Sequence, residues 1–115
     1  MDERILKWLF DIKMAIDEID SYFINESKYF FKYRDNLMLK RAVERDLEII
    51  GEATNRIVTR DKTFEIRITN AKAIISLRNQ VIHAYDNISD ENIWSILTNH
   101  LPKLKQEIEN LINEK

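Results

Sequence analysis

Apolar residues recur along this chain at intervals of three and four through most of its length, which is the period of amphipathic helices and not of strands. From Glu3 to about Asn25 the stripe runs Ile5, Trp8, Ile12, Ile16, Ile19 and Phe23, predicting a first helix. A long second helix follows Asp35, its candidate N-cap. It carries Leu39, Val43, Leu47, Ile50, Ala53 and Ile57 before Thr59, Arg60 and Asp61 break the pattern. The third, from about Asn70 to Asn87, places Ile74, Leu77, Val81, Ala84 and Ile88 on one side. Ser89 then caps a fourth, with Asp90 and Glu91 in its first turn, where acids suit the positive end of the helix dipole. Pro102 falls inside the last apolar pattern. The fourth helix therefore either kinks there or ends near Asn99 with a new helix starting around Pro102, and the pattern leaves both open.

Composition narrows the class to an all-α domain. The chain has 115 residues, enough for a single domain over 1–115, and 44% are apolar against 33% charged, too core-rich for disorder and too charged for a membrane protein. One Gly and one Pro cannot supply the turns of an all-β fold. The absence of Cys excludes disulfide scaffolds, thiolate metal sites and cysteine nucleophiles. The start Met1-Asp2-Glu3-Arg4 has no signal-peptide pattern, and no apolar run approaches the ~18 residues of a membrane span, so a cytoplasmic protein is expected. The net charge of −2 means that any contact with nucleic acid must be local.

Two further features call for an explanation. Gly51 stands in the middle of the second helix, where it costs about 1 kcal/mol relative to Ala, and a close helix crossing is the expected compensation. The segment from Tyr22 to Tyr33 contains Tyr22, Phe23, Tyr29, Phe30, Phe31 and Tyr33. Such rings can stack on bases, but packing beneath a connection is the expectation here. The charged positions Lys40 with Glu44, Arg41 with Arg45, and Glu52 with Arg56 are read as an ordinary solvated face.

Chemistry concentrates in one stretch of the third helix. Neither His83 nor His100 lies three residues after a Glu, so the paired Glu-x-x-His of a di-metal bundle is missing, and a single Gly rules out a phosphate-cradling loop. What remains is Arg78-x4-His83-x-Tyr85. Given eight Arg, two His and four Tyr in the chain, Arg-x4-His is expected roughly 0.14 times by chance and the extended form about 0.005 times, so the extended form is the informative one. On a helical wheel Arg78, Ile82, Ile75, Asn79 and His83 fall on the side away from the core stripe. That mixture suits an interface better than water, most simply one with a second copy about a twofold axis.

Arg78 and His83 lie about 140° apart around the helix and about 7.5 Å along it, so one helix aims them poorly at a single phosphate. Two antiparallel copies would share two Arg and two His in one cleft. That set suits metal-free RNA cleavage. One imidazole would take the ribose 2′-hydroxyl proton, the other would protonate the leaving 5′-oxygen, and Arg would stabilise charge on the phosphoryl oxygens. Asn79 could hold the imidazole or a phosphate. The same residues admit a plainer account, in which Arg78 pairs with an acid such as Glu52, His83 is a surface or interface histidine, and Tyr85 is a helix-end tyrosine.

The run Arg45-Asp46-Leu47-Glu48-Ile49-Ile50-Gly51-Glu52-Ala53, followed by Arg78-Asn79-x3-His83-x-Tyr85, Trp94 and Leu101-Pro102-x-Leu104, resembles the HepT-like branch of the HEPN superfamily over roughly Leu37 to Ile108. The resemblance implies an antiparallel four- to five-helix bundle that is homodimeric. It also implies a ribonuclease toxin needing neither metal nor cofactor, with Arg78 and His83 catalytic and Asn79 supporting. Its partner would be a cognate minimal nucleotidyltransferase (MNT) antitoxin that transfers AMP to Tyr85, placing negative charge beside the RNA cleft. A function of another class remains open: a non-catalytic helical subunit that docks a nucleotidyltransferase.

Overall fold

The computed structural model describes residues 1–23, 30–82 and 89–114, and among these there are helices and no strand. Helix α1 spans Glu3–Ser21. Asp2 caps it, its carboxylate accepting from the backbone N–H of Arg4 and Ile5, and the buried stripe is Ile5, Leu9, Ile12, Ile16 and Ile19. The stripe is centred on Leu9, with Trp8 only partly buried at its edge. The helix stops at Ser21, short of the expected Asn25, which lies outside the described residues; Tyr22 turns its hydroxyl onto Asp46 instead.

After a five-residue helix α2, Phe30–Arg34, comes the long α3, Leu37–Arg60. Its N-cap is Asn36, whose side chain accepts from Leu39 N–H at 3.0 Å, and not the predicted Asp35, whose carboxylate is taken by Arg34. Asp61 ends α3 and turns the chain by accepting from the Thr63 backbone and hydroxyl, leading into the short α4, Phe64–Arg67. Asn70 adopts a left-handed backbone (φ 62°), a conformation Asn tolerates better than most residues, and releases the chain into α5, Ala71–Ile82.

Ser89 caps α6, Asp90–Ser95, by accepting from Asn92 N–H, as expected. Near Pro102 the helical run does not end at Asn99, as one of the two courses had it; it continues without a break through a local widening. A π-helical turn, Ile96–His100, joins α6 to α7, Leu101–Asn113, with Pro102 in the first turn of α7. Proline removes an N–H and crowds the carbonyl four residues earlier. The widened turn makes room for that ring, and Leu101 N–H reaches back to the Ile96 carbonyl.

The long helices form an antiparallel bundle around α3. The Asp2–Arg60 contact joins the start of α1 to the end of α3, and the Tyr22–Asp46 contact joins the end of α1 to the first half of α3. Helix α5 lies along α3, and α7 packs on α1, where Lys105 meets Asp17 and Asp20. Lys40 reaches Asp90 at 3.1 Å, a link from α3 to α6 in place of the intrahelical pair anticipated with Glu44. At its thinnest the molecule measures 19 Å, the depth of two helix layers. No helix among the described residues is long and apolar enough to cross a membrane.

Of the described aromatic residues in this segment, Phe23 and Tyr33 are core, as anticipated, and Phe30 is partly buried beside them. Phe23, Phe30 and Tyr33 surround Trp94 at ring-centroid distances of 5.6 to 6.2 Å, with Tyr33 fully buried, whereas Tyr22 and Phe31 are exposed, Phe31 under Arg34. Tyr29 lies outside the described residues. Among the described residues Asp46 is the one carboxylate in the buried set. Burial pushes it up to about 6; the Tyr22 hydrogen bond at 2.8 Å opposes the rise and the neighbouring Glu18 carboxylate adds to it.

Candidate functional site

The position of Arg78 is decided by a backbone approach. At Gly51, α3 and α5 cross so closely that a Cβ there would lie 2.6 Å from Arg78 Cβ, 3.0 Å from the Ile74 carbonyl oxygen and 3.3 Å from Arg78 Cα. Ordinary carbon contacts are about 3.5 to 4.0 Å, so only glycine fits, and the helical penalty it carries is offset by this contact. The expectation of a crossing point at Gly51 holds.

The crossing also corrects the predicted orientation of Arg78. The helical wheel put it on the side away from the core, yet its Cβ faces α3. Buried Ala71 and Leu77 and partly buried Ile74 form the packed side of α5, and Arg78 sits on the flank of that stripe. Periodicity gives only the mean direction of a stripe. The notch at Gly51 draws α5 inward at Ile74 and Arg78 and rotates its contact line toward them. Of the other residues placed on the side away from the core, Ile75 is partly buried and Asn79 is exposed.

From the crossing the Arg78 side chain, 34% exposed, runs to Glu52, with Nε 2.5 Å from Oε2. That oxygen lies off the N–H direction, so Nε makes no directed hydrogen bond and the attraction is charge on charge. Nη1 donates a long 3.3 Å hydrogen bond to Asn79 Oδ1. The other oxygen of Glu52 receives Arg56 Nε at 3.2 Å, so one carboxylate bridges two guanidinium groups. These side chains line an open groove of about 310 Å³ together with Asp11, Glu48, Ile49 and Ala53. Three carboxylates, one of them paired with Lys7, face two guanidiniums, a near balance that gives the groove no general attraction for a polyanion. Any phosphate held there would depend on the remaining donors of the Arg78 fork.

The described residues thus bring Arg78 and Asn79 together with Glu52 and Arg56. His83 and Tyr85, the other two predicted site residues, lie outside them. The plainer account named the Arg78–Glu52 pair, and it is present. Arg56 was read as solvated surface and not as part of the site. The available signal was its place four residues after Glu52, itself next to the crossing glycine. A second cavity, about 290 Å³, is lined by Leu47, Ile50, Ile74, Leu77, Leu101 and Leu104 with His100, Lys103 and Glu107, and its mainly apolar walls do not suit phosphodiester chemistry.

The family model for HepT-like ribonucleases matches residues 12–111. Two Methanocaldococcus jannaschii proteins provisionally named RNases are similar to the chain. One is 33% identical over 112 residues, covering 95% of this chain and 98% of the relative, and the other is 30% identical over 117 residues, covering 99% and 93%. A Thermococcus cleftensis protein provisionally named ribonuclease HepT is 30% identical over 104 residues, covering 90% and 92%. No solved structure gives a significant match. The chain belongs to the HepT-like ribonuclease family.

Proposed function

We propose that this protein is the toxin of a toxin–antitoxin pair and cleaves RNA without a metal ion. The observation that carries the proposal is the family match over residues 12–111, which spans the whole Arg78-x4-His83-x-Tyr85 motif. In the proposed reaction two chains pair so that Arg78 and His83 of each face one cleft. One His83 takes the 2′-hydroxyl proton, the oxygen attacks phosphorus, and the 5′-oxygen leaves with a proton from the other His83, giving a 2′,3′-cyclic phosphate. Arg78 holds the phosphoryl oxygens as charge builds, and Asn79, bonded to its Nη1, steadies the guanidinium. DNA, lacking the 2′-hydroxyl, is not a substrate. The cognate antitoxin is proposed to be a minimal nucleotidyltransferase that adds AMP to Tyr85, whose phosphate would repel RNA.

A second reading, a non-catalytic subunit that docks the nucleotidyltransferase, draws support from the acid-rich groove, in which Arg78 is already ion-paired with Glu52. Expressing the chain and its His83→Ala variant in a bacterial host separates the two. Growth arrest with RNA loss, both abolished by the substitution, is the outcome expected of the enzyme; intact RNA with both proteins contradicts it. Incubation with ATP and a minimal nucleotidyltransferase encoded in the same genome tests the modification: an unchanged mass, or adducts that survive Tyr85→Phe, rules out Tyr85 as acceptor.

A further inference from the structure

We infer that Glu52 is a positioning residue for Arg78, and that Arg56 acts through Glu52 to hold it in place. The inference rests on the ribonuclease function proposed above and adds to it two residues outside the motif. Both ends of the Arg78–Glu52 contact are anchored at the same point. Arg78 Cα and Cβ are pressed against Gly51, and Glu52 is the next residue of α3. The carboxylate therefore meets the guanidinium from a backbone that has little freedom to shift, as a precisely held catalytic group requires.

The contact holds Arg78 without consuming it. Glu52 Oε2 approaches Nε off the N–H axis, and Asn79 accepts from Nη1, so the two restraints act on different nitrogens and the five-donor fork keeps N–H groups for a phosphate. Arg56 fixes the other side of the carboxylate. It stands four residues after Glu52, the favoured acid-before-base order on a helix, and takes Oε1 at 3.2 Å while Oε2 faces Arg78. Glu52 is thereby held in the rotamer that points at the crossing. Glu48 shares the groove, so an Arg78 released from Glu52 has another carboxylate to turn toward. Ion pairs with both partners about one-third exposed add little to stability. What Glu52 contributes is orientation.

The test uses the full chain and a defined RNA oligonucleotide, and measures kcat, KM and melting temperature for wild type, Glu52→Gln, Glu52→Asp and Arg56→Ala. Positioning predicts that Glu52→Gln lowers kcat about 10- to 100-fold with KM within about threefold and melting within about 2 °C. Glu52→Asp should keep part of the activity, and Arg56→Ala should lose less than Glu52→Gln. In an Arg78→Lys background, Glu52→Gln should add less than about twofold, because the group it positions is gone. Glu44→Gln, which alters the surface partner of Arg41, should match wild type.

Wild-type kcat in Glu52→Gln, alongside an Arg78→Ala variant that is inactive, overturns the positioning role and leaves the ribonuclease function standing. An undiminished effect of Glu52→Gln in the Arg78→Lys background, or a kcat loss matched by a melting drop above about 8 °C, also overturns it. A wild-type chain that cleaves no RNA overturns the ribonuclease function first and this role with it.

Discussion

Replacing Gly51 by Ala perturbs fold and site through one added methyl group. The new carbon would lie 2.6 Å from Arg78 Cβ and 3.0 Å from a backbone oxygen. Neither neighbour is the free end of a flexible side chain, so α5 itself must retreat by about 1 Å to restore ordinary contact. Overpacking of this kind costs about 1 to 3 kcal/mol, offset by about 1 kcal/mol of helix propensity gained. The net is a destabilisation of up to about 2 kcal/mol, or a melting temperature lower by up to roughly 10 °C. The retreat falls at Arg78, so the folded variant should also lose activity, by about tenfold or more, since a 1 Å misplacement can cost up to about 100-fold. Thermal unfolding and RNA cleavage, measured on one preparation, test both consequences. A Gly51→Ala protein that melts at or above the wild-type temperature with unchanged kcat would refute the crossing as described.

Other consequences can be checked as directly. Asp46, raised from 3.8 to about 6 chiefly by burial, binds its proton more tightly folded than unfolded. Its stabilising contribution is full below about pH 4 and is lost as the pH climbs through 6, a loss of about 1 to 3 kcal/mol. Asp46→Asn should therefore melt higher than wild type at pH 7.5 and equal to it at pH 4; a constant difference across that range contradicts the assignment. Asn36→Ala removes the side-chain acceptor for Leu39 N–H and should lower stability by about 1 kcal/mol in urea unfolding, whereas Asp35→Ala should have a smaller effect.

Much of the bundle could be read from the residues, because α1, α3 and α5 each bury a stripe long enough for the helical period to register, and because Asp90 and Glu91 behind Ser89 mark a helix start. Gly51 was informative for a different reason: a residue that weakens its own helix implies a contact that only glycine permits. The five-residue α2 and four-residue α4 were not foreseen, since elements of about one turn are too short to show a period. Nor was the π turn, a local accommodation of Pro102 that depends on how the next carbonyls are satisfied. In the site, the spacing of Arg78, Asn79 and His83 could be read, and Glu52 could be named as an acid for Arg78, but the helical wheel turned Arg78 the wrong way. A wheel drawn for one helix carries no information about where a second backbone presses against it, and it is that pressure at Gly51 that turns Arg78 toward Glu52.

The account stands most directly on what Arg78 and His83 do to RNA. The purified chain, in buffer containing EDTA, should cut an RNA oligonucleotide to products ending in a 2′,3′-cyclic phosphate and leave the all-deoxy version whole. Arg78→Ala and His83→Ala should each slow the reaction at least about 100-fold while melting close to wild type. Cleavage by His83→Ala at the wild-type rate, or equal cutting of the deoxy strand, would contradict it.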